Sequence, residues 1–174
     1  MTEHELFAHY EKIYFHELGR KEQIFSRLNI PLAVIVAIVG FYAVILGGDY
    51  KQLSFGMTIW FWVFFGLSAL ALVVGTVFFV DSLLGRMDQA LPTANDTESW
   101  RVEMLTYYSD QPDPEAIVAT ELRQMLYRAY MNCGTISTLN NDRKSSSLYF
   151  CNMALITAAA LAVIAYSFGM LPKL

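Results

Sequence analysis

The pattern of apolar and polar positions divides the chain into three long apolar runs separated by polar segments. The runs extend over Ile30 to Leu46, Ile59 to Val80 and Leu148 to Met170, and none of them contains a charged residue. A helix needs about 20 residues to cross a bilayer, so each run is long enough, or nearly so, to span one. The pattern therefore predicts an all-α integral membrane protein with three transmembrane helices.

The third run forms the end of a longer predicted helix, Pro114 to Met170, which has no internal proline and only Gly134 as a weak point before Gly169. One face of this helix changes from apolar to polar to small side chains: Leu122, Met125, Leu126, Ala129, Cys133 and Ile136, then Asn140, Lys144 and Ser147, then Ala154, Ala158 and Ala162. We therefore expect a cytoplasmic helical region, continuous with the last span, that associates with further copies of the chain.

An amphipathic cytoplasmic helix is predicted over residues 1–28. Its apolar side chains recur at helical spacing: Leu6, Phe7, Tyr10, Ile13, Tyr14 and Leu18. This face needs a partner, either the bilayer surface or another helix. His4, His9 and His16 lie along the same helix and are interpreted as solvated residues, because zinc sites have tighter ligand spacing.

Capping residues predict where the other helices begin. Asn29 as cap and Pro31 in the first turn predict the start of a transmembrane hairpin over 29–80, with spans 30–46 and 59–80. The loop from Asp49 to Gly56 joins these two spans.

The polar segment 81–147 is predicted to be a cytoplasmic helical region. Thr97 is the predicted cap of a helix that runs through Trp100 and Tyr108, and Asp113 is the predicted cap of the long helix. Residues 148–174 form the third transmembrane helix and a short tail.

Basic residues near the spans predict their orientation. Six basic residues lie near the span ends on one side of the predicted membrane, and only two lie on the other side. The six are Arg20, Lys21, Arg27, Arg86, Arg143 and Lys144, and the two are Lys51 and Lys173. Because basic residues concentrate on the cytoplasmic side, the N-terminus is expected in the cytoplasm and the C-terminus outside.

Composition narrows the function classes. Hydrophobic residues make up 55% of the chain and the net charge is −4, so the chain as a whole has no general nucleic-acid-binding character. The sequence contains no phosphate-binding glycine loop, HExxH, CxxC or nucleophile elbow, so we expect neither an enzyme nor a metal or cofactor site. Cys133 and Cys151 are too far apart on one helix to pair and are expected in the core.

A locally basic segment is the candidate ligand site. It contains four basic residues interleaved with three tyrosines: Arg123, Arg128, Arg143 and Lys144, with Tyr127, Tyr130 and Tyr149. A nucleotide or single-stranded nucleic acid would bind such a segment through phosphate contacts and base stacking. The alternative, which applies more to Arg143 and Lys144, is contact with lipid headgroups.

Polar residues at the start of the third apolar run are the candidate pore or gate: Asn140, Lys144, Ser147 and Asn152. Rings of amides and lysines at a channel mouth control which ions pass. For Asn140, Asn141 and Asn152, hydrogen bonding between helices is the alternative.

The run YRAYMNCGTISTLNNDRKSSSLYFCNMALITAAAL, Tyr127 to Leu161, resembles small multi-span membrane effectors of bacterial anti-phage nucleotide-signalling systems. These include the SLATT-like proteins, and the Hailong channel effectors have the most similar layout. Some of these effectors have four spans, whereas this chain is predicted to have three.

The resemblance implies a homo-oligomeric, ion-conducting pore in the bacterial inner membrane, acting in abortive defence. It also implies a nucleotide or single-stranded DNA ligand and a nucleotidyltransferase partner. The alternative function is a non-conducting membrane anchor or regulatory subunit that recruits a soluble partner.

Overall fold

A computed structural model describes residues 2–48, 54–84 and 88–170 of the protein. These residues form five helices and no strand: α1 Glu3–Arg27, α2 Asn29–Leu46, α3 Phe55–Leu83, α4 Ala94–Tyr107 and α5 Pro114–Met170. The predicted all-α fold is confirmed for this part of the chain. Most of the predicted hairpin loop, the C-terminal tail, and Lys51, Arg86 and Lys173 lie outside the described residues.

Among the described residues, three helical segments are long and apolar enough to cross a membrane: His4–Leu46, Phe55–Leu83 and Pro114–Gly169. The first of them joins α1 and α2, which are separated by Leu28 alone. Three such segments in a chain of this length are typical of a membrane protein.

The start of α5 agrees with the prediction. The backbone N–H of Ala116 donates to Oδ1 of Asp113 at 3.3 Å, so Asp113 caps the helix. Asp113 has a φ of 61°, in the left-handed region that aspartate tolerates better than most residues. From there α5 continues for 57 residues, through Gly134, without interruption.

Two other predicted caps are wrong. Thr93, not Thr97, caps α4, because Thr93 and Asp96 form a reciprocal capping box that begins the helix one turn earlier. Asn29 is the first residue of α2 and caps nothing, since the preceding Leu28 already has right-handed helical backbone angles. The N–H of Leu32 then donates to the oxygen of Leu28 at 3.3 Å.

The chain divides into two compact units, and α1 and α5 each contribute to both. The first unit consists of Met1–Glu22 and Arg86–Asp142, and the second of Gln23–Gly85 and Arg143–Leu174.

In the first unit the aromatic face of α1 packs against α5. The ring centroids of Phe7 and Tyr14 lie 5.5 and 5.8 Å from that of Tyr130, and Tyr10 lies 5.2 Å from Tyr127. The partner of this face is therefore another helix, which was one of the two alternatives that the sequence left open.

The second unit packs α2, α3 and the last part of α5 together. One core cluster joins the start of α2 to the end of α3 and to Leu148 of α5, and a second joins Ile45, Phe61 and Ala165. The helices α2 and α5 therefore run in the same direction, and α3 runs against both.

Small and apolar side chains of α5 face this core at alternating spacings of three and four residues: Leu148, Cys151, Leu155, Ala158, Ala162 and Ala165. This spacing is that of a coiled-coil seam. A Cβ atom added to Gly75 of α3 would lie 3.1 Å from Cδ2 of Leu155, so the two helices are in close contact there.

Candidate functional site

The first unit contains a cavity of about 630 Å³. Residues of α1, α4 and α5 line it: His4 and Phe7, then Arg101 and Leu105, then Glu115, Val118, Ala119, Leu122, Arg123 and Leu126. Its volume lies in the range of small-molecule sites, about 300 to 1,000 Å³.

Local structure positions each wall of this cavity. The capping box at Thr93 fixes the start of α4 and so the turn that carries Arg101. Contact with Tyr130 holds Phe7 of α1, while Val118 is almost completely buried on α5. The lining is therefore largely apolar, and its charged residues are Arg101, Glu115 and Arg123.

Two arginines line the cavity, and they differ in their partners. Arg101 donates from Nε and Nη2 to the Glu98 carboxylate at 2.9 and 2.6 Å, which raises the pKa of Arg101 and lowers the pKa of Glu98. The guanidinium of Arg123 makes no hydrogen bond or ion pair with any residue that the structure describes. Arg123 is therefore available to an anionic molecule, whereas the charge of Arg101 is largely compensated.

The predicted ligand-binding residues do not form one site. Arg123 lines the cavity, and Arg128 is exposed elsewhere on the first unit. Arg143 and Lys144 belong to the second unit. Arg101 was missed, because its place in the lining of this cavity depends on how α4 packs and leaves no local signal in the sequence.

The tyrosines of the basic segment also have structural roles. The ring of Tyr130 contacts Phe7, Tyr14 and Phe15, and the ring of Tyr127 contacts Tyr10. Burial raises the pKa of Tyr130. These two rings pack α1 onto α5 and are not presented as open stacking surfaces.

Of the predicted pore or gate residues, two donate hydrogen bonds to carboxylates of their own chain. In the first unit, Nδ2 of Asn140 donates to Oδ1 of Asp88 at 2.8 Å, and Lys21 donates to the same carboxylate at 2.6 Å. In the second unit, Oγ of Ser147 donates to Oδ2 of Asp81 at 2.6 Å.

The other two pore or gate residues differ in burial. Lys144 is only 5% exposed, and its backbone oxygen accepts from Ser82 Oγ at 3.1 Å. Asn152 is exposed and lines a groove of about 280 Å³ in the second unit.

A buried polar contact in the first unit confirms, for Asn141, the alternative of hydrogen bonding between helices. Nδ2 of Asn141 donates to the backbone oxygen and to Oε2 of Glu17. Nearby, Arg20 donates to Asp142 at 2.6 Å, and this hydrogen bond is the main reason that the pKa of Arg20 is raised. The only signal in the sequence was the run of polar residues at Asn140 to Asp142, whose partners the sequence does not identify.

The cavity offers binding groups for a molecule that is anionic on one side and flat or apolar on the other. A guanidinium binds a phosphate or carboxylate with two parallel hydrogen bonds, and the apolar wall excludes water from the rest of the molecule. Among the described residues, no group of three or more His, Cys, Asp or Glu side chains lies close enough together to hold a metal ion.

No protein-family model, curated protein or solved structure matches this chain. The resemblance to the SLATT-like effectors therefore rests on the run from Tyr127 to Leu161 and on the layout of the helices.

Proposed function

We propose that this chain is a membrane effector that assembles into a homo-oligomeric, ion-conducting pore and responds to a nucleotide or nucleic-acid ligand. The observation that carries the proposal is the cavity beside Arg123, in a chain that also has three helices apolar enough to cross a membrane. One chain thus combines a site suited to an anionic ligand with segments suited to a bilayer.

Exposed side chains of the second unit support the proposed membrane placement. Large apolar residues are exposed on each of its helices, including Val36, Leu70 and Ile156. Exposed apolar surface on this scale is unfavourable in water and is matched by lipid. Arg27 lies just before α2, and Arg143 and Lys144 lie just before the apolar run of α5 that begins at Leu148. Leu28 and Leu148 belong to one core cluster, so we assign this end of the second unit to the cytoplasm by the positive-inside rule.

The proposed ligand class follows from the cavity. Arg123 would bind a phosphate group, and the wall formed by Leu122 and Leu126 would cover a base. As in the effectors that the sequence resembles, a nucleotidyltransferase partner would supply such a ligand in the cytoplasm of an infected bacterium. Pore opening would then depolarise the inner membrane and stop growth, which is abortive defence.

We assign the described arrangement of the helices to the closed state of the pore. The side chains of Asn140 and Ser147 donate to Asp88 and Asp81 of their own chain. In the proposed closed state these hydrogen bonds would keep the two polar groups from lining a path for ions. A ligand moves such an equilibrium only through its different affinities for the two states. A ligand that binds the closed state more tightly therefore keeps the pore closed, and one that binds the open state more tightly opens it.

Ion flux from liposomes tests this function. The full chain is reconstituted and exposed to a panel of nucleoside phosphates and short DNA oligomers. We expect an ion flux whose rate changes when at least one of these ligands is added. Arg123→Gln should weaken this response to the ligand. Arg128→Gln is the matched control, because Arg128 is an exposed arginine of the same helix that does not line the cavity. An oligomer that conducts under none of these conditions would refute the pore.

A second candidate, the non-conducting anchor, is favoured by one observation. Asn140 and Ser147 already have hydrogen-bond partners within the chain, so an assembly does not need them to line a pore. Neutralising Arg123, Arg128, Arg143 and Lys144 separates the two functions. Loss of a soluble partner at unchanged conductance would favour the anchor.

A further inference from the structure

The groove of about 280 Å³ in the second unit has a polar side and an apolar side. Its polar side is formed by Arg27, Ser145, Tyr149 and Asn152. The side chains of Arg27, Ser145 and Asn152 make no hydrogen bond or ion pair with any residue in the part of the chain that the structure describes. A guanidinium, a hydroxyl and an amide therefore line one groove without partners among these residues, and all three are donors that suit an anion.

The apolar side of the groove marks where two apolar runs begin. Pro31 and Leu148 are buried and form the inner wall, whereas Ile30 is 68% exposed at the margin. Arg27 precedes Ile30 by three residues, and Ser145 precedes Leu148 by three. Arg27 and Ser145 are therefore placed one helical turn before the apolar surface, whereas Asn152 lies one turn beyond Leu148, and all three line the same groove.

We propose that this groove binds the headgroup phosphate of an anionic phospholipid, with the acyl chains along the exposed apolar surface that begins at Ile30. Arg27 contacts the phosphate directly, and the Ser145 hydroxyl and the Asn152 amide donate to its oxygens. The inference depends on the proposed membrane placement but not on ion conduction.

A phospholipid fits this groove better than a soluble phosphate compound does. The apolar wall continues into an exposed apolar surface, which is complementary to acyl chains and would be left in water by a small hydrophilic ligand. Basic residues near the cytoplasmic ends of spans attract anionic lipid, and here the basic residue is accompanied by two neutral donors.

The proposal gives Asn152 a role different from the predicted one. A side chain that donates to a lipid on the outside of the bundle does not at the same time line a central pore. Lipid binding and ion flux of the same variant therefore decide between the two roles.

Lipid binding is measured on the full chain purified in a non-ionic detergent, by native mass spectrometry and thermal unfolding. The probes are phosphatidylglycerol, phosphatidylcholine and inorganic phosphate. We expect phosphatidylglycerol to bind and to raise the unfolding temperature, with little effect of the other two. Because a hydrogen bond to a charged group contributes about 1.5 to 3 kcal/mol, Arg27→Gln should weaken phosphatidylglycerol binding by roughly tenfold or more.

Two comparisons make the result decisive. Arg27→Lys keeps the charge but not the paired donors and should retain part of the affinity. Arg128→Gln removes the same charge from the first unit and should change nothing. Equal binding of phosphatidylglycerol to Arg27→Gln and to the unchanged chain would refute the site. The site would also be refuted if inorganic phosphate raised the unfolding temperature as much as phosphatidylglycerol does.

Asn152→Leu completes the test. We expect weaker phosphatidylglycerol binding with unaltered ion selectivity in liposomes. Altered ion selectivity with unchanged lipid binding would show that Asn152 lines the pore and would contradict its proposed role in lipid binding. Because binding is measured in detergent, its failure leaves the proposed pore untouched, and an absence of flux leaves the lipid site untouched.

Discussion

The side-chain amide of Asn141 donates to both the backbone oxygen and the carboxylate of Glu17, at 2.8 and 2.9 Å. Asn141 is 2% exposed and Glu17 is 6% exposed. A buried carboxylate is costly unless donors surround it, so Asn141 compensates for the burial of Glu17. The contact joins α1 to α5 across 124 positions of the chain.

Replacing Asn141 should destabilise the first unit. Asn141→Leu leaves the buried carboxylate of Glu17 without this donor, which costs about 1 to 3 kcal/mol or more. Thermal unfolding of the purified protein should show a clearly lower midpoint. Asn132→Leu is the control, because Asn132 is exposed on the same helix, and it should change stability by less than about 0.5 kcal/mol. Equal midpoints for the two variants would contradict the assigned role.

Ser68 should be important for the packing of the apolar helices. Its hydroxyl donates to the backbone oxygen of Ala158 at 2.6 Å and lies 2.6 Å from the hydroxyl of Tyr42. Ser68→Ala therefore removes the link among α2, α3 and α5, and we expect a loss of about 0.5 to 2 kcal/mol. Ser167→Ala is the control, since the Ser167 hydroxyl donates to Val163 of its own helix. Unfolding in detergent measures both, and a larger loss for Ser167→Ala would count against the link.

Gly75 should tolerate no large side chain. A Cβ atom added there would lie 3.1 Å from Cδ2 of Leu155, so Gly75→Leu should force α3 away from α5 and cost about 1 to 3 kcal/mol. Gly66 lies on the same helix with nothing within 4 Å of its Cβ position. Gly66→Leu should therefore unfold close to the temperature of the unchanged protein. A similar loss in the two variants would mean that α3 and α5 are not in close contact at Gly75.

Filling the cavity should abolish the response to ligand. Ala119 lines the cavity, whereas Ala116, three residues earlier on α5, does not. Ala119→Trp should eliminate ligand-dependent flux and leave the oligomer intact, and Ala116→Trp should keep the response. Flux assays and size-exclusion chromatography measure the two properties. A normal ligand response in Ala119→Trp would place the ligand elsewhere.

Cys133 should react slowly with thiol reagents. It is buried, and burial raises the pKa of its thiol, so the reactive thiolate is scarce at neutral pH. Raising the pH toward the shifted pKa should increase the labelling rate, and unfolding should increase it much more. Asn132→Cys places a thiol on the exposed neighbouring position and should label quickly in the folded protein. Rapid labelling of Cys133 in that state would show that this part of α5 is accessible.

The sequence by itself determined which segments are helices and which of them are apolar. The three apolar runs, the start of α5 at Pro114 and the aromatic face of α1 were predictable because length, periodicity and a proline in the first turn act locally. The cap of α4 was misplaced because two threonines, Thr93 and Thr97, stand near acidic residues. Only the capping-box geometry of Thr93 with Asp96 distinguishes them.

Only the tertiary structure decided which side chains meet. It brings Arg101 to the cavity that Arg123 lines, joins Asn141 to Glu17, and turns Asn140 and Ser147 toward carboxylates of their own chain. These contacts depend on how distant helices pack, and an amphipathic pattern specifies that a face is covered without specifying what covers it. The sequence therefore predicted the basic and polar positions of α5, and the packing of the helices gave each of them its partner.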